Sequence, residues 1–148
     1  MIFVLILIFE ILFCSNVFCA VFIPAFDMCK VKRIVDGDTF EANCRFRGSK
    51  IKIRVLGLDT YESHKNTHIR KQTNHSLSIR SIILKGQTAK QCAIEILFNK
   101  PIILILYDRR YDVYGRLLAD VYLIKNHRFI LFKDLMKKQC KEGVFQWQ

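Results

Sequence analysis

Ile51, Ile53 and Val55 alternate with Lys52 and Arg54. A period of two sends the aliphatic side chains to one face of a strand and Arg54 to the other. Upstream, Lys30 to Val35 is rich in β-branched residues and predicts a strand. Asp36-Gly37-Asp38 predicts a turn, Thr39 to Phe46 the returning strand, and Arg47-Gly48-Ser49 a second turn. Ser63 to Lys85 is polar and basic with no clear period, which reads as a long loop near function or a surface insertion. From Gly86 to Phe98 a helix is predicted, with Ala89, Cys92, Ala93, Ile96 and Leu97 on one face and Asn99-Lys100-Pro101 as its stop. Ile102 to Tyr107 is an apolar run short enough for a buried strand. Asp108 to Gly115 is a charged hairpin turn, Leu117 to Ile124 the next strand, and Asn126 a turn or helix start. Phe132, Leu135, Met136 and Cys140 trace a second helical stripe, with Gly143 as its stop. Three strands, a helix, two strands and a helix predict an α+β fold, mainly β: a small barrel with helices packed on it.

The first twenty residues do not fit that domain. MIFVLILIFEILFCSNVFCA is an apolar run interrupted by Glu10 and shorter than a membrane span requires. It reads as a secretory leader, residues 1–20 or extending to Ala25, ahead of one domain over 26–148. Its opening lacks Lys and Arg, and Phe18 stands where a small residue is wanted before Ala20. An uncleaved membrane anchor is therefore the alternative. Beyond the leader remain Cys29, Cys44, Cys92 and Cys140, with no zinc-type spacing among them. Cys29 and Cys44 lie equally far from the turn at Asp36-Gly37, so a hairpin would set them opposite one another, close enough to bridge. Cys92 and Cys140 sit on the apolar stripes of the two helices, and both buried thiols and a second disulfide remain open for them. An even cysteine count fits export.

Charge narrows the class of partner. The 148-residue chain carries 24 Lys and Arg against 13 Asp and Glu, a formal net charge of +11. Such an excess favours a polyanion, either nucleic acid or an anionic membrane surface. The stretch from Val31 to Glu62 supplies chemistry to match. Asp38 in a turn and Asp59 at a strand end could give carboxylate oxygens to a hard divalent ion. Arg54, and Arg116 further on, offer the planar fork that fits phosphate oxygens. Glu62, three residues past Asp59, is placed to orient or deprotonate a water. Each residue alone has a plainer reading: turn chemistry for Asp38, a solvated side chain for Glu62, a surface arginine for Arg54. His64 and His68 stand four apart, a metal-ligand spacing on a helix. The basic residues around them disfavour a cation, and solvated loop histidines are the better reading.

The ordered segments IVDGDTF, RVLGLDTYE and DVYGR resemble the staphylococcal nuclease family, over most of the chain from about Cys29 to about Trp147. The resemblance implies a five-stranded OB-fold barrel with packed helices. It also implies a calcium-dependent nuclease acting on DNA and RNA with little sequence preference, as a monomer with no obligate protein partner. Residue by residue, Asp38 and Asp59 match the calcium carboxylates, and Thr60 the residue that lends the ion a backbone carbonyl. Arg54 and Arg116 match the phosphate-binding arginines, and Glu62 the carboxylate assigned as general base. Asp36 matches a supporting acid, and Tyr114 a tyrosine near the nucleotide's terminal phosphate. The implied step is attack of water at phosphorus with departure of the 5′-oxygen. Two departures stand out. Tyr61 replaces the proline usual before the glutamate, which predicts a less rigid loop. Val113 replaces a lysine that often precedes Tyr-Gly-Arg. The best-known member also continues into a further C-terminal helix past the position of Gln148, so Trp147 is the candidate cover for the core there. Two other readings remain: a barrel of the same family that binds nucleic acid or protein without catalysis, and a basic membrane-surface protein. The leader and cysteines place the protein in the periplasm or outside the cell, or tethered to a membrane through an uncleaved leader.

Overall fold

The computed structural model describes residues 25–65, 69–73 and 77–145. The leader through residue 24, His68 and Trp147 lie outside the described residues. Six strands form one sheet: β1 (Phe26–Asp36), β2 (Thr39–Cys44), β3 (Gly48–Val55), β4 (Pro101–Tyr111), β5 (Leu117–Lys125) and β6 (Arg128–Leu131). Their order is β3-β2-β1-β4-β5-β6, and a further pairing of β3 with β5 closes the first five into a barrel. That closing pair is parallel, with Ile53 opposite Leu117 and Val55 opposite Ala119. All other pairs are antiparallel. The result is the α+β barrel that the strand pattern predicts, and it is OB-like, as the resemblance implies. Closure leaves few open edges for chance pairing.

Alternation along β3 works as its sequence requires. Ile53 and Val55 are buried and Ile51 is partly buried against the core. Arg54, between them, faces the other way and lines a cleft. The core continues through Val31, Phe40, Leu104 and Val121. Among the described residues three helices accompany the barrel: α1 (Ile69–Gln72), α2 (Ile79–Leu97) and α3 (Phe132–Gln139), followed by a 3₁₀ turn at Lys141–Gly143. Ala89, Ala93 and Leu97 of α2 and Phe132 and Met136 of α3 belong to the same core.

Helix α2 starts at Ile79, two turns before the Gly86 start expected from periodicity. Ser78 caps it, its side chain accepting the Ser81 N–H at 3.2 Å. Glycine is a poor helix former, by roughly 1 kcal/mol against alanine, and so mimics a boundary. Its reason lies elsewhere: a Cβ at position 86 would sit 2.3 Å from the Glu62 carbonyl carbon and oxygen. Residues 69–72 and 79–85 thus convert part of the expected loop into helix. Two smaller differences concern β4 and β6. β4 runs on to Tyr111, so the hairpin turn is shorter than expected. β6 follows a two-residue turn in which Asn126 and His127 both hold positive φ, 50° and 59°, the backbone form that suits tight hairpins.

Both cysteine pairs are bonded. Cys29 and Cys44 stand directly opposite in the β1–β2 register, with Cα atoms 4.0 Å apart. Cys92 and Cys140, whose state the sequence left open, tie α2 to the end of α3, with Cα atoms 6.3 Å apart. A loop of 15 residues closed by the first bridge is worth about 3 kcal/mol on chain-entropy grounds. Two disulfides fit an oxidising compartment.

Candidate active site

A cleft of about 460 Å³ opens between the β1–β2 turn, β3, the loop after β3 and the β4–β5 hairpin. Asp36, Asp38, Arg54, Asp59, Thr60 and Glu62 line it from the first half of the chain. Tyr114 and Arg116 line it from the hairpin. Every residue marked by the sequence as a catalytic, ion-binding or substrate candidate therefore borders one space. The folding reason is the parallel β3–β5 contact, which sets Arg54 level with Leu118, two residues past Arg116.

Asp38 is buried at 4% exposure. Its Oδ1 accepts a hydrogen bond from Thr39 Oγ1 at 2.9 Å, and its Oδ2 accepts from the N–H and the hydroxyl of Thr60, both at 2.9 Å. A buried carboxylate needs such donors to remain tolerable. Arg54 completes the set. One nitrogen of its guanidinium pairs with Asp38 and another with Asp59, so a single cation bridges both acids.

Arg116 is held differently. Its Nε donates to Asp112 Oδ2 at 2.6 Å, while Asp112 Oδ1 accepts the backbone N–H groups of Tyr114 and Arg116, each at 2.9 Å. Partial burial pushes the Asp112 carboxyl up. The hydrogen bonds from Arg116 and Tyr114, with the nearby guanidinium charge, outweigh it and hold the group below the usual carboxylate range. The guanidinium also reaches Thr39 Oγ1 at 3.4 Å and lies 5.3 Å from the centre of the Tyr114 ring. Val113 is 84% exposed at the hairpin tip.

The loop carrying Glu62 is strapped from two sides. Gln72, on α1, accepts the Glu62 N–H at 3.0 Å and donates to the Thr60 carbonyl at 3.0 Å. The segment after α3 holds the other side: Tyr61 N–H donates to Gly143 O at 3.0 Å, and Phe145 N–H to Asp59 O at 2.8 Å. The Tyr61 and Phe145 rings meet edge to face at 5.2 Å. A proline at 61 would have no N–H for Gly143. Tyr61 thus exchanges ring rigidity for a strap, and the loop is anchored despite lacking the proline. Val144 and Phe145 are buried beside this loop. Ser63 donates its hydroxyl to Asp36. His64 stands exposed, 3.9 Å from Asp36.

The donor set suits a hard cation. Two carboxylates flank one point, and the Thr60 carbonyl, with one partner in Gln72, keeps a lone pair to give. Arg54 bridges those same carboxylates, so a bound ion and this arginine position exclude one another. Among the described residues, the group of three His, Cys, Asp or Glu side chains at ligand spacing is Asp27 with Cys29 and Cys44. Its sulfurs are spent in the disulfide and its acid is paired with Arg47 at 2.9 Å.

Sequence reasoning missed Asp112, Gln72 and Gly86. Asp112 carried a signal, four residues before Arg116 in DVYGR. Gln72 carried none, since its partners lie ten and twelve residues away in an irregular loop. No family model matches the chain. It is similar to an uncharacterized protein of Methanocaldococcus jannaschii, at 34% identity over 122 residues. The match covers 78% of this chain and 58% of that protein, so the chain spans less than two thirds of its relative's length.

Proposed function

We propose that this chain is an exported, calcium-dependent nuclease of the staphylococcal nuclease type, hydrolysing phosphodiester bonds of DNA and RNA. The observation that carries the reading is the convergence of Asp38, Asp59, Arg54, Glu62 and Arg116 on one cleft from separate stretches of chain. Asp38, Asp59 and the Thr60 carbonyl would hold calcium, which supplies charge neutralisation at the phosphate when bound. Arg54 and Arg116 grip non-bridging phosphate oxygens and stabilise the charge that grows on them. Glu62 takes the proton of a water as its oxygen bonds to phosphorus. The bond from phosphorus to the 5′-oxygen breaks, and that oxygen is protonated from solvent. Asp112 aims Arg116, and Gln72 holds the Glu62 backbone. Contacts confined to backbone phosphates explain weak sequence preference, and the chain's net positive charge predicts salt-sensitive binding. The disulfides and the apolar leader support a periplasmic or extracellular site of action.

Incubating circular single-stranded DNA with the protein tests this. Digestion with calcium and none with EDTA is the expected result. Cleavage that persists in EDTA overturns the mechanism. A second reading, a barrel that binds nucleic acid without cleaving it, is favoured by one observation: Arg54 is already engaged by both acids. A gel shift without digestion in calcium would select it.

A further inference from the structure

Three glycines stand where the segments that carry the cleft meet helix α2, and each is required by space. Gly37 lies between Asp36 and Asp38 in the β1–β2 turn. A Cβ there would come within 2.8 Å of both the Ala89 Cβ and the Thr60 Cγ2. Gly86 faces the loop after β3, where a Cβ would lie 2.3 Å from the Glu62 carbonyl carbon and oxygen and 2.6 Å from the Ser63 nitrogen. Gly143 accepts the Tyr61 N–H through its carbonyl. A Cβ there would lie 2.6 Å from the Ala89 Cβ and 2.8 Å from the Ala89 Cα and nitrogen. None of the three holds a positive φ, unlike Gly48, Gly57 and Gly115. Their backbone form is therefore open to other residues, and what excludes a side chain is the neighbour alone.

All three contacts fall on one turn of α2, since Gly86 and Ala89 are three residues apart and share a helix face. Both are buried, Ala89 completely, and neither is among the residues that line the cleft. Three residues further along α2, Cys92 is bonded to Cys140, which lies three residues before Gly143. The segment that straps Tyr61 is thus tied covalently to the same helix. We propose that Gly86 and Ala89 are positioning residues. This turn of α2 sets the depth of Glu62 through Gly86, and the depth of the turn bearing Asp38 through Ala89 and Gly37. The consequence for turnover rests on the nuclease reading above. A close-packed contact passes on a displacement because no void absorbs it, and a shift of about 1 Å in a reacting group costs about a hundredfold in rate. Glycine is a poor helix former, and the seat it gives Glu62 accounts for its place inside α2.

Three variants of the full chain test this, each measured below its own melting midpoint. Gly86→Ala should lower kcat about a hundredfold, with KM and calcium affinity within about twofold of the parent. The side-chain amide of Gln72, which bonds both Glu62 and Thr60, should shift in an amide NMR spectrum and report the displaced loop. Ala89→Gly deletes the contact with Gly37 and Gly143 and adds no atom, so it carries the test if Gly86→Ala fails to fold. It should weaken calcium binding about tenfold. Gln87→Ala, exposed beside them on α2, should change none of these. Gly86→Ala with parental kcat, or with a fallen melting midpoint as its only change, overturns the proposal, as does Ala89→Gly with parental calcium affinity. A parent chain that cleaves no nucleic acid in calcium sinks the nuclease reading by itself. The seat then stands on the displaced Gln72 signal of Gly86→Ala, and falls if that signal keeps its parental position.

Discussion

Two arms of the molecule bring arginines to one cleft, and they hold them by opposite strategies. On the β4–β5 hairpin, Arg116 has its own carboxylate, Asp112, four residues away and fixed by two backbone N–H groups. On β3, Arg54 has no such private acid among the described residues. It borrows Asp38 and Asp59, the two residues best suited to a cation. The hairpin arginine is aimed before any ligand arrives, whereas the strand arginine shares its partners with the ion. Preorganised donors act without reorganisation at the moment of reaction, so the two should respond differently to the same substitutions.

The largest effects should fall on turnover. Arg116→Ala and Glu62→Ala are each expected to reduce cleavage about a thousandfold while nucleic-acid binding persists, as read by single-turnover digestion beside a filter-binding assay. Equal loss of binding and cleavage would put these residues in substrate capture instead. Asp112→Asn should come next, lowering kcat about tenfold to a hundredfold through misdirection of Arg116, without changing calcium affinity. If calcium affinity falls as well, the hairpin and the carboxylates are not separate devices.

Calorimetric titration sharpens the contrast further. Arg54→Ala should tighten calcium binding about tenfold, because a competing guanidinium leaves the carboxylates. Arg116→Ala should leave calcium binding where it was. A smaller effect is expected at Tyr61. Tyr61→Pro removes the hydrogen bond to Gly143 and should lower stability by about 1 kcal/mol in urea unfolding. Acid brings the smallest effect. Asp112 has a depressed pKa in the folded state, so its contribution is present above the ordinary carboxylate pKa, about 4, and disappears as pH falls through the folded value. The stability gap between the parent chain and Asp112→Asn should therefore close below about pH 4.

The barrel was legible because strand periodicity is local. Ile51, Ile53 and Val55 had to share a face wherever β3 went, and Arg54 had to oppose them. The Cys29–Cys44 bridge was legible too, because a hairpin turning near Asp36-Gly37 brings equidistant positions together. β6 and the first turns of α2 were not. Arg128 to Leu131 alternates too briefly to stand out, and Gly86 imitated a helix end while serving the approach of the Glu62 backbone.

By itself, the sequence determined which faces are apolar, which residues carry charge, and the ordered motifs whose acids and arginines suit phosphate chemistry. Tertiary structure alone decided how they meet. Closure of β3 on β5 joins Arg54 to the hairpin that bears Arg116. Gln72 and the Gly143–Phe145 segment anchor the Glu62 loop. Contacts at Gly37, Gly86 and Gly143 seat three segments of the site on one turn of α2. Each of these depends on contacts between residues far apart in the chain, and no local preference encodes such contacts.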